Sequence, residues 1–279
     1  MSEDLEKIVE VVRASKKYGI VCDETVMRIA AEEAGRQKSE KAAVKAVKTR
    51  LHQITGAFIS PDKLKTAGRL LDEMGEENRE EIIRQVLGLH TSSAERMGFA
   101  REMFEDIFAV TGRDGVILDI ACGLNPLFMG LMDGVEQLEY HGVDINVGAV
   151  ALVNRFFEMS EVCGRAIAGD VLYQVPEVAA DHVFLFKILP LLEQQRKGSS
   201  RALVEGLKAK WFTISFPTKT LSGKNVGMHQ FYRAFMGAQF GDGAFEVCLE
   251  KEYENELVYV IKRWSGIPPV TYPIASDVG

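Results

Sequence analysis

Three aspartates lie at the ends of short apolar runs in the middle of the chain. The segment VILDIACGLNPL, residues 116–127, contains Asp119 and a single glycine, Gly123, whereas Asp144 and Asp170 close two later runs. The carboxyl ends of parallel strands meet along one edge of a sheet, where ligands bind near the reversal of strand order. The spacing therefore predicts three carboxylates around one ligand-binding edge.

These carboxylates indicate an adenosine-containing ligand without a pyrophosphate. Asp144 can accept hydrogen bonds from two ribose hydroxyls, and Asp170 can accept one from an adenine amino group. A dinucleotide loop usually has three glycines and exposed amides for its phosphates, whereas this loop has only Gly123. Nearby carboxylates favour a cation such as the sulfonium of S-adenosylmethionine. Aspartates are also common in turns, so each one alone allows that second interpretation.

The region before Gly112 must position these residues from a helical scaffold. Its apolar residues recur every three or four positions, which predicts a helical domain over 1–110. The helices are predicted at 3–17, 23–35, 39–55, 61–74, 78–89 and 93–110.

After Gly112, short β-branched runs alternate with helix-like stretches, which predicts an α/β domain over 111–263. Its strands are predicted at 115–120, 139–144, 165–168, 181–187, 211–216, 245–252 and 257–263. The last two form a hairpin, so the seven-stranded sheet should be mostly parallel with one antiparallel strand. The tail, 264–279, has three prolines and no periodicity, which predicts disorder.

Composition argues against several classes of protein. The 279 residues are 47% hydrophobic, enough to bury a large core, and the acidic start MSEDLEKIVE is unlike a secretory signal. The longest apolar run, HVFLFKILPLL, is interrupted by Lys187 and Pro190 and is too short to cross a membrane. The four cysteines are scattered without a CxxC pair, which favours reduced thiols and no metal site. We expect a cytoplasmic protein.

The distribution of charge is more informative than the net charge of −7. Lys38, Lys41, Lys45 and Lys48 recur at spacings of three and four, so they lie along one helix face. Residues 206–241 contain lysines and arginine but no Asp or Glu. A solvated face is one interpretation of each patch, and an anionic partner such as nucleic acid is the other.

Five motifs outside and around the glycine loop carry a family resemblance. They are TRLHQITGAF at 49–58, HTSSAER at 90–96, DIACGLNPL at 119–127, FKILPLLEQQ at 186–195 and SFPTKTLSGKNVGM at 215–228. Together they resemble the aminoglycoside-resistance methyltransferases that modify guanine 1405 of bacterial 16S rRNA at N7. The resemblance covers residues 15–263 and implies the class I S-adenosylmethionine-dependent methyltransferase fold, which is Rossmann-like.

The resemblance implies where S-adenosylmethionine would bind. The implied cofactor residues are Phe58, His90, Thr91, Ser92, Arg96, Ala121, Gly123, Asp144, Asp170, Val171, Phe186 and Gln195. Of these, Asp144 would bind the ribose, Asp170 and Val171 the adenine, and Arg96 the methionine carboxylate. A bidentate guanidinium suits that last contact.

The resemblance also implies a substrate, the 16S rRNA of the 30S subunit, bound by a monomer in the bacterial cytoplasm. The target base must leave its helix, because guanine N7 faces the narrow major groove of A-form RNA. The residues implied to contact RNA are Lys38, Lys41, Lys45, Lys48, Lys187, Glu193, Lys219, Lys224 and Met228. Lys219, Lys224 and Met228 would hold the displaced nucleotide. Guanine N7 has no proton to lose, so no general base is assigned and positioning supplies the catalysis.

Alternative interpretations stay open at this point. Arg96 could form an ion pair with Glu95 or Glu102, and Phe186 could simply pack in the core. The chain could methylate another RNA or a small amine. It could also be an RNA-binding module with a vestigial methyltransferase sheet.

Overall fold

The computed structural model describes residues 3–15, 18–218 and 228–264. Its first part is helical, with α1 to α7 at Glu3–Arg13, Asp23–Ala34, Glu40–Ile54, Pro61–Asp72, Arg79–Gly88, Thr91–Arg96 and Ala100–Thr111. Local sequence explains two of the starts: the Ser39 and Ser60 hydroxyls accept from backbone amides of the first turns of α3 and α4, and Pro61 suits the first position of a helix.

The predicted helix over 93–110 is wrong as a single element. The chain forms α6 and α7 with a break at Met97–Phe99, where Gly98 is a poor helix former. The break leaves Arg96 buried at the end of α6 and Phe99 buried at the start of α7. The break therefore lies between two buried side chains, the charged Arg96 and the apolar Phe99.

The second part of the chain forms one seven-stranded sheet. Strands β1 to β7 are Gly115–Ile120, Leu138–Asp144, Gly164–Ala168, Ala179–Phe186, Lys208–Pro217, Phe245–Glu252 and Glu256–Arg263. Helices α8 to α11 are Val147–Met159, Leu189–Gln195, Ser199–Gly206 and Met228–Phe240, and a 3₁₀ helix spans Asn125–Leu131.

The strand order is β3-β2-β1-β4-β5-β7-β6. Strands β1 to β5 pair in parallel, and β7 is antiparallel to both β5 and β6. The predicted seven-stranded, mostly parallel sheet with a closing hairpin is confirmed. The order reverses between β1 and β4, so the carboxyl ends of β1, β2 and β4 surround the crevice where such sheets bind ligands.

The helical region is divided between two cores. Helices α1 to α3 have a core of their own, with Val26, Ile29, Val47 and Leu51 among its fully buried residues. Helices α4, α5 and α7 instead share a core with one face of the sheet. In its described residues, the region predicted as a 1–110 domain has helices as its regular elements, but only its first three helices pack around a separate core.

The three-helix unit α1–α3 is joined to the sheet by backbone hydrogen bonds at one loop. The Cys22 amide donates to the Ile145 carbonyl at 2.8 Å, and the Val147 amide donates to the Ile20 carbonyl at 2.9 Å. This loop follows β2 directly, so the unit is attached at the carboxyl edge of the sheet. The predicted tail lies outside the described residues from 265 onward. In the described parts of the chain, no helix is long and apolar enough to span a bilayer.

His182 of β4 provides a pH test of the sheet. Its ring is buried, lies 4.5 Å from the centroid of Phe184 and bonds to the Thr213 hydroxyl at 2.7 Å. Burial lowers the pKa of His182 from 6.5 to about 3. Between these values the unfolded chain binds one proton more than the folded protein, so folding stability falls as the pH falls below 6.5.

We expect His182→Gln to remove this pH dependence. Between pH 7 and pH 5, the wild type should lose about 2 kcal/mol more unfolding free energy than the variant does. Denaturant titrations of both proteins at the two pH values measure the difference. An equal loss in both proteins would show that His182 is not held neutral in the fold.

Candidate active site

A cavity opens at the carboxyl ends of β1, β2 and β4. Its floor is formed by the residues that follow these strands, and Ile54, Phe58, Ile59 and His90 of the helical region close it from the other side. Most of its wall is apolar, with carboxylates at two points, Asp144 and Asp170. Such a site suits a ligand with an apolar ring system and a few polar groups.

The loop after β1 has an unusual backbone conformation where it lines the cavity. Ala121 has φ +57° and Gly123 has φ +49°, a region that costs energy for residues other than glycine. A Cβ atom at Gly123 would lie 3.2 Å from Cε1 of His90. The glycine therefore lets the loop and α6 approach each other closely across the cavity.

Asp144 holds this loop from the end of β2. One carboxylate oxygen accepts from the Gly123 amide at 2.8 Å and the other accepts from the Asn146 amide at 2.8 Å. Burial raises the pKa of Asp144, and these backbone hydrogen bonds oppose that rise. Asp144 thus connects β1 to β2 at the cavity and retains lone pairs for donors on a ligand.

Asp170 is held by a residue of the helical region. The Arg28 side chain on α2 donates to Oδ2 of Asp170 through Nε at 2.9 Å, and its Nη2 lies 2.8 Å from the same oxygen. Nη2 also donates to Oε1 of Gln195 at 3.0 Å. The other oxygen of Asp170 accepts from the Leu172 amide at 2.8 Å.

Lys187 ends β4 in a second unusual conformation, with φ +57°. Its amide donates to the carbonyl and hydroxyl of Ser215, and its ammonium lies 3.1 Å from Glu95 and 3.5 Å from Glu256. Among the described residues, the non-glycine residues with positive φ are Ala121 and Lys187, and both line the cavity. Backbone strain of this kind is typical of functional sites.

Arg96 lies behind the cavity in a buried ion pair. Its guanidinium contacts both oxygens of Glu256, at 2.6 and 3.2 Å, and donates to Oδ1 of Asn125 at 2.8 Å. Its Cζ lies 4.4 Å from the ring centroid of Phe186, which does line the cavity. Burial alone would raise the pKa of Glu256, but the charges of Arg96 and Lys187 outweigh it and lower that pKa.

Asp119 continues this network into β1. Its Oδ2 accepts from Asn125 at 2.8 Å and from the Tyr140 hydroxyl at 2.6 Å. Burial raises the pKa of Asp119 to about 7, although both hydrogen bonds oppose the rise. Its Oδ1 is buried and has no hydrogen-bond partner among the described residues, so this carboxyl can accept a further donor.

The structure brings most of the predicted cofactor residues together. Those that line the cavity are Phe58, His90, Ser92, Ala121, Gly123, Asp144, Asp170, Val171, Phe186 and Gln195. Thr91 and Arg96 do not line it. The alternative ion pair of Arg96 with Glu95 or Glu102 is not formed, because its carboxylate partner is Glu256. Phe186 both lines the cavity and packs on aromatic neighbours.

Sequence reasoning missed several residues of the wall. They include Arg28, Ile54, Ile59, Asn146, Ile188 and Leu191. The apolar residues have no signal beyond helical periodicity. Arg28 has a weak signal in the sequence, because it is a charged residue among the buried positions of α2, where an arginine requires a partner.

The predicted RNA residues fall in different places. Lys41, Lys45 and Lys48 line a shallow groove on α3, and Lys38 is exposed just before that helix. Lys187 lies in the cavity wall, and Met228 begins α11. The Glu193 carboxylate accepts from the amides of Gly198 and Ser200 at the start of α10, a structural contact. Lys219 and Lys224 lie outside the described residues.

The chemistry available in the cavity is binding and orientation. In residues 3–15, 18–218 and 228–264, no group of three or more His, Cys, Asp or Glu side chains is arranged to hold a metal ion. The titratable residues of the wall are engaged by neighbours: His90 by Ser93, Lys187 by Glu95, and Asp170 by Arg28.

The Arg96–Glu256 ion pair predicts a specific pattern of stability. Arg96→Met should lower the unfolding free energy by about 3–5 kcal/mol, because it leaves a buried carboxylate without its main cation. Adding Glu256→Gln should recover part of the loss. Arg101→Met, which breaks the exposed pair with Asp133, is the control and should cost about 0–1 kcal/mol. Equal losses in Arg96→Met and Arg101→Met, measured by denaturant unfolding, would contradict the assignment.

Comparisons with known proteins identify the family of the chain. The FmrO family model, described as a ribosomal RNA methyltransferase, matches residues 14–260. A relative from Serratia marcescens named 16S rRNA (guanine(1405)-N(7))-methyltransferase is 38% identical over 253 residues, covering 90% of this chain and 96% of its own. A protein of the same name from Frankia casuarinae is 32% identical over 267 residues, covering 93% and 94%.

Solved structures of 16S rRNA methyltransferases are also similar to this chain. The crystal structure of the 16S rRNA methyltransferase RmtF in complex with S-adenosyl-L-homocysteine has a TM-score of 0.86 and 37% identity, covering 95% of this chain and 100% of that one. The structure of the 16S rRNA methylase RmtB has a TM-score of 0.81 and 33% identity, covering 94% and 100%. The class I methyltransferase fold and the resemblance carried by the five motifs are confirmed. The chain belongs to the FmrO family of ribosomal RNA methyltransferases.

Proposed function

We propose that this protein transfers a methyl group from S-adenosylmethionine to N7 of guanine 1405 in bacterial 16S rRNA. The observation that carries the proposal is a cavity with an adenosine-type acid pattern in a chain that matches the FmrO family over residues 14–260. Two relatives that carry the guanine 1405 N7 name match it over nine-tenths of its length. The solved relative RmtF holds S-adenosyl-L-homocysteine.

The residues of the cavity fit this cofactor. Asp144 would accept from the ribose hydroxyls, and Asp170 would accept from the adenine amino group. The apolar wall suits the adenine ring. Asp119, whose Oδ1 has no partner among the described residues, does not line the cavity, so the predicted group of three carboxylates is reduced to Asp144 and Asp170 at the wall. When bound, the cofactor supplies an electrophilic methyl group on a sulfonium.

Arg96 is the cofactor residue with the least support from the geometry. Its donors are directed to Glu256 and Asn125, so a contact with the methionine carboxylate would require part of this network to rearrange. Without that contact, Arg96 would act indirectly, by packing on the Phe186 ring and holding it in the cavity wall. The predicted contact stays a prediction.

The cavity suits an acceptor that needs no deprotonation. Guanine N7 carries an in-plane lone pair and no proton, so the protein has to align N7 with the methyl group and exclude water. The wall residues His90, Asp170 and Lys187 are held by neighbours, which fits a role in orientation. An amine substrate would instead require a group that removes a proton.

The surface of α3 supports contact with RNA. Among the described residues, no carboxylate lies within ion-pair distance of Lys38, Lys41, Lys45 or Lys48, so these cations are available to phosphates. The helix continues from them to Ile54 in the cavity wall, about 9 Å beyond Lys48 at the rise of an α-helix. We propose that this face docks on the 30S subunit, that the enzyme acts as a monomer, and that it works in the bacterial cytoplasm.

Tritiated methyl transfer to purified 30S subunits, free 16S rRNA and tRNA tests the proposed function. We expect 30S subunits to be labelled with one methyl group each, and tRNA to remain unlabelled. A bacterium that expresses the protein should resist kanamycin and gentamicin but remain sensitive to apramycin and neomycin. These expectations about drugs come from the family resemblance. Labelling of tRNA, or resistance to apramycin, would contradict the proposal.

The lysine face of α3 can be tested apart from the cavity. Lys41→Glu combined with Lys45→Glu should weaken 30S binding about tenfold or more and reduce the slope of log affinity against log salt by about two. Affinity for S-adenosyl-L-homocysteine should not change. Arg84→Glu with Arg101→Glu makes the same charge change at two exposed residues of α5 and α7 that do not line the cavity, and is the control. Equal effects of the two pairs would leave the face without a specific role.

A further inference from the structure

Helix α2 contributes two residues to the same point of the cavity. Glu24 and Arg28 are four residues apart, so they share one helix face. Oε2 of Glu24 accepts from the Asp170 amide at 3.0 Å, and Arg28 binds the Asp170 carboxylate. The backbone and the side chain of Asp170 are therefore both fixed by the three-helix unit, from more than 140 positions away in the sequence.

Arg28 provides a positive charge beside the buried carboxylate of Asp170. Asp170 is 4% exposed and Arg28 is 8% exposed, and a buried charge is costly unless it is paired and hydrogen-bonded. Two guanidinium nitrogens contact one oxygen of Asp170, while the Leu172 amide contacts the other. These contacts fix the rotation of the carboxylate and pair its charge with the guanidinium, so that its remaining lone pairs are directed as hydrogen-bond acceptors.

Arg28 also contacts a second element of the cavity wall, helix α9. Its Nη2 donates to Gln195 at the end of α9, and its Nη1 lies 3.4 Å from Glu32. Glu32 in turn binds Arg50 of α3 at 2.6 Å. One guanidinium thus connects α2, the loop after β3 and α9 at the end of the cavity where adenine would bind.

We propose that Arg28 is a positioning residue that makes the site selective for a 6-amino purine. It acts through Asp170, whose carboxylate it holds in the rotation needed to accept from the adenine amino group. A 6-oxo purine presents an acceptor at that point and is repelled by the fixed carboxylate. This inference rests on the proposed function, because it requires an adenosine cofactor.

The test compares two ligands that differ only at position 6 of the purine, S-adenosyl-L-homocysteine and S-inosyl-L-homocysteine. Calorimetry on the full chain gives the affinity for each, and their ratio is the readout. We expect the wild type to prefer the amino ligand by about tenfold to hundredfold, because the 6-oxo ligand cannot donate the buried hydrogen bond to the carboxylate. Arg28→Gln should bring the ratio towards one, and Arg28→Lys should give an intermediate ratio because it keeps the charge without the fork.

Two controls separate positioning from a merely structural role. Arg36→Gln removes an exposed arginine just beyond the end of the same helix and should leave the ratio unchanged. In an Asp170→Asn background, Arg28→Gln should change the ratio no further, because its route of action is already removed.

The outcomes are distinct. If Arg28→Gln weakens both ligands equally and keeps the wild-type ratio, Arg28 only supports the fold and the inference is overturned. A further change of the ratio in the Asp170→Asn background would also overturn it. If Arg28→Gln does not fold, the Arg28→Lys ratio decides: a wild-type ratio overturns the inference. If the wild type binds neither ligand, the proposed function fails, and the inference fails with it.

Discussion

The attachment of the three-helix unit to the carboxyl edge of the sheet is the constraint on which the site depends. The contacts described above place the unit on the loops that follow β2 and β3: two backbone hydrogen bonds at Ile145 and Val147, and side-chain contacts at Asp170. These loops carry the acids of the cavity. A displacement of the unit would therefore move the cavity wall and the lysine face of α3 together.

A second buried network fixes the other side of the cavity. Glu256 begins β7, which lies next to β5 at the far side of the strand-order reversal. Its contacts with Arg96 and Lys187 connect the hairpin to α6 and to the end of β4. The Ser215 hydroxyl on β5 donates to the same carboxylate. The closing hairpin thus has a role in the site although it contributes no residue to the cavity wall.

Much of the fold could be predicted because the relevant signals are local. Strand periodicity and the residues at strand ends place Asp144 and Asp170 at one edge without any knowledge of long-range contacts. The pairs Arg28–Asp170 and Arg96–Glu256 could not be predicted in this way, since their members are 142 and 160 positions apart. A buried arginine shows that a partner exists, but the identity of the partner depends on the packed structure. The break at Gly98 could not be predicted for a related reason. The apolar spacing of a helix continues through Gly98, whereas the separate burial of Arg96 and Phe99 depends on the packed structure.

The structure supports a cavity that orients cofactor and acceptor for methylation of guanine N7, an atom that has no proton to lose. Reduction of modified 16S rRNA with borohydride followed by aniline cleaves the strand at N7-methylguanosine and leaves other methylated bases intact. Primer extension then gives the position of the cut. We expect a cut at position 1405 in RNA from 30S subunits treated with the protein and S-adenosylmethionine, and no such cut in RNA from untreated subunits. Incorporation of a methyl group without a new cut, or a new cut at another guanine, would overturn the proposed substrate.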